Sequence, residues 1–187
     1  MEEAIYRLEV EALDLGPDAR AVGLELIARG TREPLTGPDA ARIWAATLPA
    51  LAGSEPWVLD FFAHLSRVRD FCRDRKIAFR EPNAHTLVIS ALAPAPLEAL
   101  LARFANERFG VRAGGPGIAG DPAVEGQLAA RGVDAYHGAY PTCLFCAVCD
   151  FESGSLTVLS DRLWASEVIR RARPALSSLG VEVTRPA

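Results

Sequence analysis

The sequence predicts an α+β fold, in which a mixed or mainly antiparallel sheet has helices packed on it. Three observations lead to this prediction. Residues 5–15 alternate between polar and apolar side chains, residues 54–76 show apolar side chains at helical spacing, and the last third of the chain is typical of a β-hairpin–helix–strand unit. Strands and helices do not alternate regularly, so the pattern disfavours a doubly wound parallel sheet.

The amino-terminal segment is predicted to form a β-hairpin. Leu8 and Val10 alternate with Glu9 and Glu11, the period of two that is expected of a half-buried strand. The glycine, proline and aspartate at 16–18 then favour a turn, and residues 22–28 fit a second strand.

Two helices are predicted to follow the hairpin. The first begins at residues 36–39, and Pro49 disturbs its apolar pattern. The second is the clearest helix of the sequence: Ser54 serves as its N-cap, and its apolar residues recur at steps of three and four. These residues are Val58, Phe61, Leu65, Val68 and Cys72. The spacing therefore predicts one continuous helix that reaches the basic residues at 73–76.

The middle of the chain is predicted to contain a strand, a helix, a loop and a short helix. Residues 86–92 form a compact apolar run, and an amphipathic helix is expected over 97–109. Residues 110–120 contain five glycines, which predicts a mobile loop. Pro122 fits the first position of a helix that ends near Arg131.

The last third gives the most readable pattern. Residues 143–151 and 156–159 are apolar and flank a turn, which predicts a buried hairpin. A helix is expected to begin at Ser160 or Asp161 and to end before Gly180, and residues 181–183 fit one more strand.

Length, charge and composition limit the classes of protein. A chain of 187 residues predicts one domain over 1–187, with a flexible loop at about 110–121 as the one candidate linker. The net charge of -4 predicts no nucleic-acid partner. The acidic start and the lack of a long apolar run predict no membrane partner and a cytoplasmic location. Lys76 is the only lysine among many arginines, a bias that indicates a bacterial source.

Three closely spaced cysteines, Cys143, Cys146 and Cys149, raise the question of a metal or redox site. On a continuous strand the first and third side chains point to one face and the second to the other, so the three sulfurs would diverge. We therefore expect core packing, with no metal and no cofactor. A metal or redox protein built on these three cysteines is the third hypothesis, and Cys72 is expected to be buried and inert.

The candidate binding residues are Asp134, Tyr136, His137 and Tyr140, because they have no obvious structural reason to lie together. An acid, two phenols and an imidazole could bind a ligand or perform acid–base chemistry. We expect them at an exposed rim of the sheet, so that alanine at Tyr136 and His137 would leave the melting temperature nearly unchanged.

No catalytic signature is evident, so the sequence favours a non-enzymatic protein-interaction module with a protein partner of unknown identity. An adaptor, an accessory subunit and an immunity-type factor all fit this description. The alternative is a small enzyme or ligand-binding protein with a site near residues 134–140. The oligomeric state stays open.

Overall fold

The computed structural model describes residues 5–14, 20–115, 118, 120, 122–136 and 142–186. Within these ranges nine strands form one open sheet, with five α-helices and one 3-10 helix. The strands are β1 (Tyr6–Asp14), β2 (Arg20–Ala28), β3 (Trp57–Phe61), β4 (Phe79–Asn83), β5 (Thr86–Ser90), β6 (Phe109–Ala113), β7 (Phe145–Asp150), β8 (Ser155–Leu159) and β9 (Val181–Thr184). The helices are α1 (Gly37–Ala52), α2 (Leu65–Asp74), α3 (Pro94–Arg103), α4 (Pro122–Arg131), the 3-10 helix (Gly132–Ala135) and α5 (Ala165–Ser177).

The sheet is mixed and mostly antiparallel, in the order β4-β5-β3-β6-β7-β8-β2-β1-β9. Every neighbouring pair is antiparallel except β1 and β9. The prediction of an α+β fold is confirmed, including the carboxyl-terminal unit of hairpin β7–β8, helix α5 and strand β9.

The main core lies between one face of the sheet and four helices, α1, α2, α3 and α5. Period-two alternation sends Leu8, Val10 and Leu24 into this layer, which is why the strand pattern of the hairpin was readable from sequence. Trp44 of α1 stacks on Phe151 with ring centroids 4.8 Å apart, and the edge of Phe109 meets Phe151 at 5.4 Å. Aromatic packing therefore joins α1 to the centre of the sheet.

Helix α4 and the 3-10 helix that follows it lie on the opposite face of the sheet. The apolar residues Val124 and Leu128 of α4 pack with Ala21, Cys146 and Leu159 in a second, smaller cluster. Glu125 of α4 also forms an ion pair with Arg80 of β4. Because α4 covers only part of this face, the rest of the face near β1, β2 and β9 has polar side chains.

The predicted helix over residues 54–76 is wrong in its first half. Residues 57–61 form β3, a strand with all five residues buried, and the helix begins only at Leu65. A continuous apolar run fits a fully buried strand and a buried helix equally well. His64 interrupts the run in the left-handed region, with φ of 51°.

The predictions for residues 97–120 also need correction. The helix there begins earlier than predicted, at Pro94, and ends at Arg103, with Pro94 and Pro96 in its first turn. Residues 109–113, expected as helix end and glycine-rich loop, form the buried strand β6. Gly110 is thus a strand residue, and residues 116, 117, 119 and 121 of the predicted loop lie outside the described residues.

The remaining predicted helices and strands occur at the predicted places in the sequence, and their ends differ by a few residues. Pro49 lies inside α1 without ending it, and β4 had no prediction. No α-helix in the described part of the chain combines the length and the apolar character needed to cross a bilayer. The assignment of residues 1–187 to one domain stays a prediction.

The aromatic contacts around Phe151 give a test of the core. We expect Phe151→Ala to lower the free energy of unfolding by about 3–5 kcal/mol, because it leaves a cavity between Trp44 and Phe109. Phe79→Ala, on the half-buried edge strand β4, is the matched control and should cost clearly less. Urea unfolding followed by circular dichroism measures both values, and equal losses would contradict the packing described here.

Candidate functional site

A fully buried ion pair joins two neighbouring strands of the sheet. Arg112 of β6 donates from Nε to Asp60 Oδ2 at 2.6 Å and from Nη2 to Asp60 Oδ1 at 2.8 Å. The side chains of both residues are 0 % exposed. The two parallel hydrogen bonds form the bidentate geometry that suits a guanidinium and a carboxylate.

Tyr136 is the third member of this group. Its hydroxyl donates to Asp60 Oδ2 at 2.7 Å, and its ring is fully buried against Phe62. Tyr136 follows the 3-10 helix after α4, so the hydrogen bond ties the helix on this face to the strand beneath it. Asp60, Arg112 and Tyr136 are called the buried polar triad below.

Burial and charge keep Tyr136 and Arg112 protonated. Burial and the nearby Asp60 carboxylate raise the pKa of the Tyr136 phenol well above its usual range, so it remains a donor. Burial by itself would lower the pKa of the Arg112 guanidinium, but the hydrogen bonds and charge of Asp60 raise it above its usual range. Arg112 is therefore charged throughout the accessible pH range.

Gly110 makes room for the tyrosine. It lies directly across from Asp60 in the β3–β6 register. A Cβ atom at Gly110 would lie 1.8 Å from the Tyr136 hydroxyl oxygen, so any other residue would displace the phenol. The glycine thus serves close packing within a strand instead of loop mobility.

Two of the three clustered cysteines meet beside the triad. Strand β7 begins at Phe145, so the alternation expected from Cys143 onward starts two residues later than predicted. Cys143 and Cys146 belong to the small cluster under α4 with Tyr136, whereas Cys149 faces the main core. The expectation that Cys143 and Cys149 share a face is wrong, and Cys146 lies directly across from Arg112.

The environments of the cysteines differ sharply. A hydrogen bond with the Cys146 thiol, the nearby Thr142 hydroxyl and the charge of Arg112 together lower the pKa of Cys143 to about 7, against the effect of burial. The same hydrogen bond and burial raise the pKa of Cys146 above its usual range. Burial raises the pKa of Cys72 to about 11 and also raises that of Cys149. Cys143 is therefore the cysteine with appreciable thiolate at neutral pH.

The four residues predicted as a binding group are only partly described. Asp134 is exposed in the 3-10 helix, whereas His137 and Tyr140 lie outside the described residues. The expectation of an exposed rim is wrong for Tyr136, which is 0 % exposed. Tyr136→Ala would remove a buried ring and leave Asp60 without one of its donors, so the melting temperature should fall. A binding role for the four residues stays a prediction.

Asp60 and Arg112 were missed in the sequence because their segments were assigned to other elements. A charged residue inside an apolar run is the signal that was available, since a buried charge needs a partner of opposite sign. Two such runs, at 57–61 and 109–113, each contain one charge, and the charges are opposite.

A second feature lies near one end of the sheet, on the part of the β1 edge that β9 does not pair with. Strand β9 pairs with β1 only from Tyr6 to Glu9, and in the described chain no strand pairs with that edge over residues 10–14. Trp164, at the start of α5, is 54 % exposed beside this edge. Val10, Ala12 and Trp164 line a depression of about 440 Å³ there, together with Arg185 and Pro186, which follow β9.

The sheet face next to this edge is acidic. Glu9 of β1 lies directly across from Glu25 of β2, an arrangement of like charges that costs stability, and Arg7 offsets part of this cost through an ion pair with Glu9 at 3.2 Å. Glu11 and Glu25 are exposed, and Glu182 of β9 is exposed on the same face. A second depression of about 230 Å³ is lined by Glu9, Glu11 and Glu25.

No family model, curated protein or solved structure matches this chain. Among the described residues, no three histidine, cysteine, aspartate or glutamate side chains come together in a group that could hold a metal ion. The geometry therefore offers two features for function: the buried polar triad with its cysteine pair, and the unpaired edge of β1 with its acidic face.

The triad predicts a large difference between two chemically identical substitutions. Tyr136→Phe removes a buried donor to Asp60, so we expect the free energy of unfolding to fall by about 1–3 kcal/mol. Tyr6 donates a hydrogen bond of the same length, 2.7 Å, to Asp39, but this hydrogen bond is exposed to water. Tyr6→Phe is thus the matched control, with an expected loss below about 0.5 kcal/mol. Chemical denaturation measures both, and an equal effect would contradict the role given to Tyr136.

Proposed function

We propose that this protein is an interaction module that binds an extended segment of a partner protein along the unpaired edge of β1. The observation that supports the proposal is the length of β1 that continues beyond the end of β9, at residues 10–14. An unpaired strand edge presents backbone donors and acceptors in a regular row, and a peptide can join the sheet by pairing with them.

The side chains around the edge indicate what kind of segment fits. On the helix side of the sheet, Ala12 and the exposed ring of Trp164 offer apolar contact. On the opposite side, Glu11 lies on the acidic face with Glu9. Since side chains alternate between the two faces of an added strand, the favoured partner segment alternates apolar and basic residues.

Trp164 is the expected centre of the binding energy. Arg20 lies over its ring at 4.4 Å, which holds the indole in place while leaving more than half of the side chain exposed. A rigid, exposed aromatic side chain next to a hydrogen-bonding edge is typical of residues that dominate protein interfaces.

The setting that we propose is the cytoplasm of a bacterium. All four cysteines are unpaired thiols, which suits a reducing compartment. The arginine-rich composition supports a bacterial source. A site at residues 134–140 receives less support, because Tyr136 is buried and its hydroxyl is engaged by Asp60.

The proposal predicts which variants lose the partner. The tagged chain is used to capture proteins from a lysate of the source cells. Trp164→Ala should reduce the amount recovered of the protein that the wild-type chain captures by about tenfold or more. Glu11→Gln should weaken the complex less and reduce its dependence on salt. Quantitative mass spectrometry of the captured proteins measures both effects.

Two control variants make this experiment specific. Ile5→Ala removes a large apolar side chain that is 59 % exposed, and it should leave recovery unchanged. Asp70→Asn matches the charge change of Glu11→Gln on an exposed residue of α2. Hydrogen exchange of the complex should show new protection of the amides at residues 10–14. The proposal would be overturned if the new amide protection lay outside residues 10–14, or if Ile5→Ala reduced recovery of the partner as much as Trp164→Ala does.

A further inference from the structure

The Cys143–Cys146 pair lies outside the proposed partner surface and points to a separate chemistry. The two cysteines lie in the small cluster under α4, three residues apart in the sequence, and each thiol shifts the pKa of the other. Thr142 Oγ1 lies 3.9 Å from Cys143 Sγ, and Arg112 lies across the strand pair from Cys146. A nucleophilic thiolate next to a second thiol is the arrangement needed for disulfide formation.

We propose that Cys143 and Cys146 form a dithiol that hydrogen peroxide oxidises to an intramolecular disulfide. The inference goes beyond the proposed partner binding and does not depend on it. Cys143 is the attacking residue, and Cys146 is the resolving residue.

The size of the oxidant follows from burial. Cys143 is 5 % exposed and Cys146 is fully buried. A thiol with so little accessible surface suits a small polar oxidant such as hydrogen peroxide, whereas a protein disulfide would have to bring its own chain to the sulfur.

The reaction balances in two steps. The Cys143 thiolate attacks one oxygen of the peroxide, so an S–O bond forms, the O–O bond breaks, and the released hydroxide takes up the proton that Cys143 lost. The Cys146 sulfur then attacks the Cys143 sulfur. An S–S bond forms, the S–O bond breaks, and the leaving hydroxyl takes the Cys146 proton as water. The two cysteines lose two electrons, and the peroxide is reduced to two molecules of water.

The surroundings of Cys143 make it the first to react. Its facing groups are the Cys146 thiol, the Thr142 hydroxyl, the Arg112 guanidinium and the Asp60 carboxylate, of which Asp60 opposes the thiolate. The net effect favours thiolate at neutral pH.

Cys72 and Cys149 lie in the main core without such neighbours, so their thiols remain protonated.

The experiment treats the reduced full-length chain with hydrogen peroxide and counts the remaining thiols after denaturation. We expect loss of two thiols and of two hydrogen atoms from the intact mass. Phe145 lies between the two cysteines, so chymotrypsin digestion should yield a disulfide-linked pair of peptides. Loss of Cys72 or Cys149 instead, or retention of all four thiols, would overturn the proposal.

Variants separate the attacking thiol from the resolving one. Cys146→Ser should stop at the sulfenic acid of Cys143, which dimedone traps. Cys143→Ser should slow thiol oxidation by about tenfold or more. Cys72→Ala is the matched control, a buried cysteine elsewhere, and should oxidise as the wild type does. Oxidation at the wild-type rate in Cys143→Ser would refute the assignment, and the digestion of the wild-type chain decides the question even if a variant fails to fold.

The pH dependence gives an independent readout. Because the thiolate is the reactive form and the pKa of Cys143 is about 7, the oxidation rate should rise about tenfold between about pH 6 and about pH 8. A rate that keeps rising about tenfold per pH unit up to about pH 8 and levels off only above about pH 8.5 would indicate an ordinary thiol and contradict the role of Cys143.

Discussion

The Asp60–Arg112 ion pair is the constraint around which the interior is arranged, because neither charge has access to water. A buried guanidinium and carboxylate are tolerable only when each satisfies the other, and removal of one partner typically costs about 3–5 kcal/mol. Tyr136 fills a remaining acceptor position on Asp60, and Gly110 leaves the space for its ring. The packing of Tyr136 on this face of the sheet thus depends on Asp60 and Arg112, which lie in two strands that are distant in the sequence.

The two functional proposals concern different parts of one sheet: the cysteine pair lies beside the central strands β6 and β7, and the unpaired edge belongs to β1 near one end. Near β6 and β7 the face is covered by α4, and the polar groups there are paired and shielded. Near β1 and β9 no helix of the described chain covers the face, and Glu11, Glu25 and Glu182 are exposed there. One face thus contains a shielded region around the cysteine pair and an exposed acidic region near β1.

Local patterns predicted much of this fold because many elements have one clear periodicity. The alternation in residues 5–15 predicted β1, and the helical spacing after residue 160 predicted α5, although α5 begins at Ala165 and not at Ser160 or Asp161. The failures occurred where patterns overlap. Residues 57–61 are apolar apart from Asp60, and such a run does not distinguish a buried strand from a helix, so the helix assignment hid the burial of Asp60. Residues 109–113 were assigned to a helix end and a loop because residues 110–120 contain five glycines, and this assignment hid the burial of Arg112. The triad joins residues 52 and 76 positions apart, a pairing that no local pattern contains. The face on which Cys143 lies was predicted wrongly because β7 begins at Phe145, two positions after Cys143.

The position of Arg112 has a consequence for how the strands find their alignment. In a sheet whose side chains alternate with period two, a shift of β6 by one residue would turn Arg112 toward Leu59, Phe61 and the helices of the main core. That misaligned sheet would have a guanidinium surrounded by hydrocarbon, and Asp60 would lose its partner at the same time. The charge of Arg112 thus destabilises the misaligned pairing far more than it stabilises the native pairing. A residue that adds little net stability can in this way enforce the uniqueness of the native state.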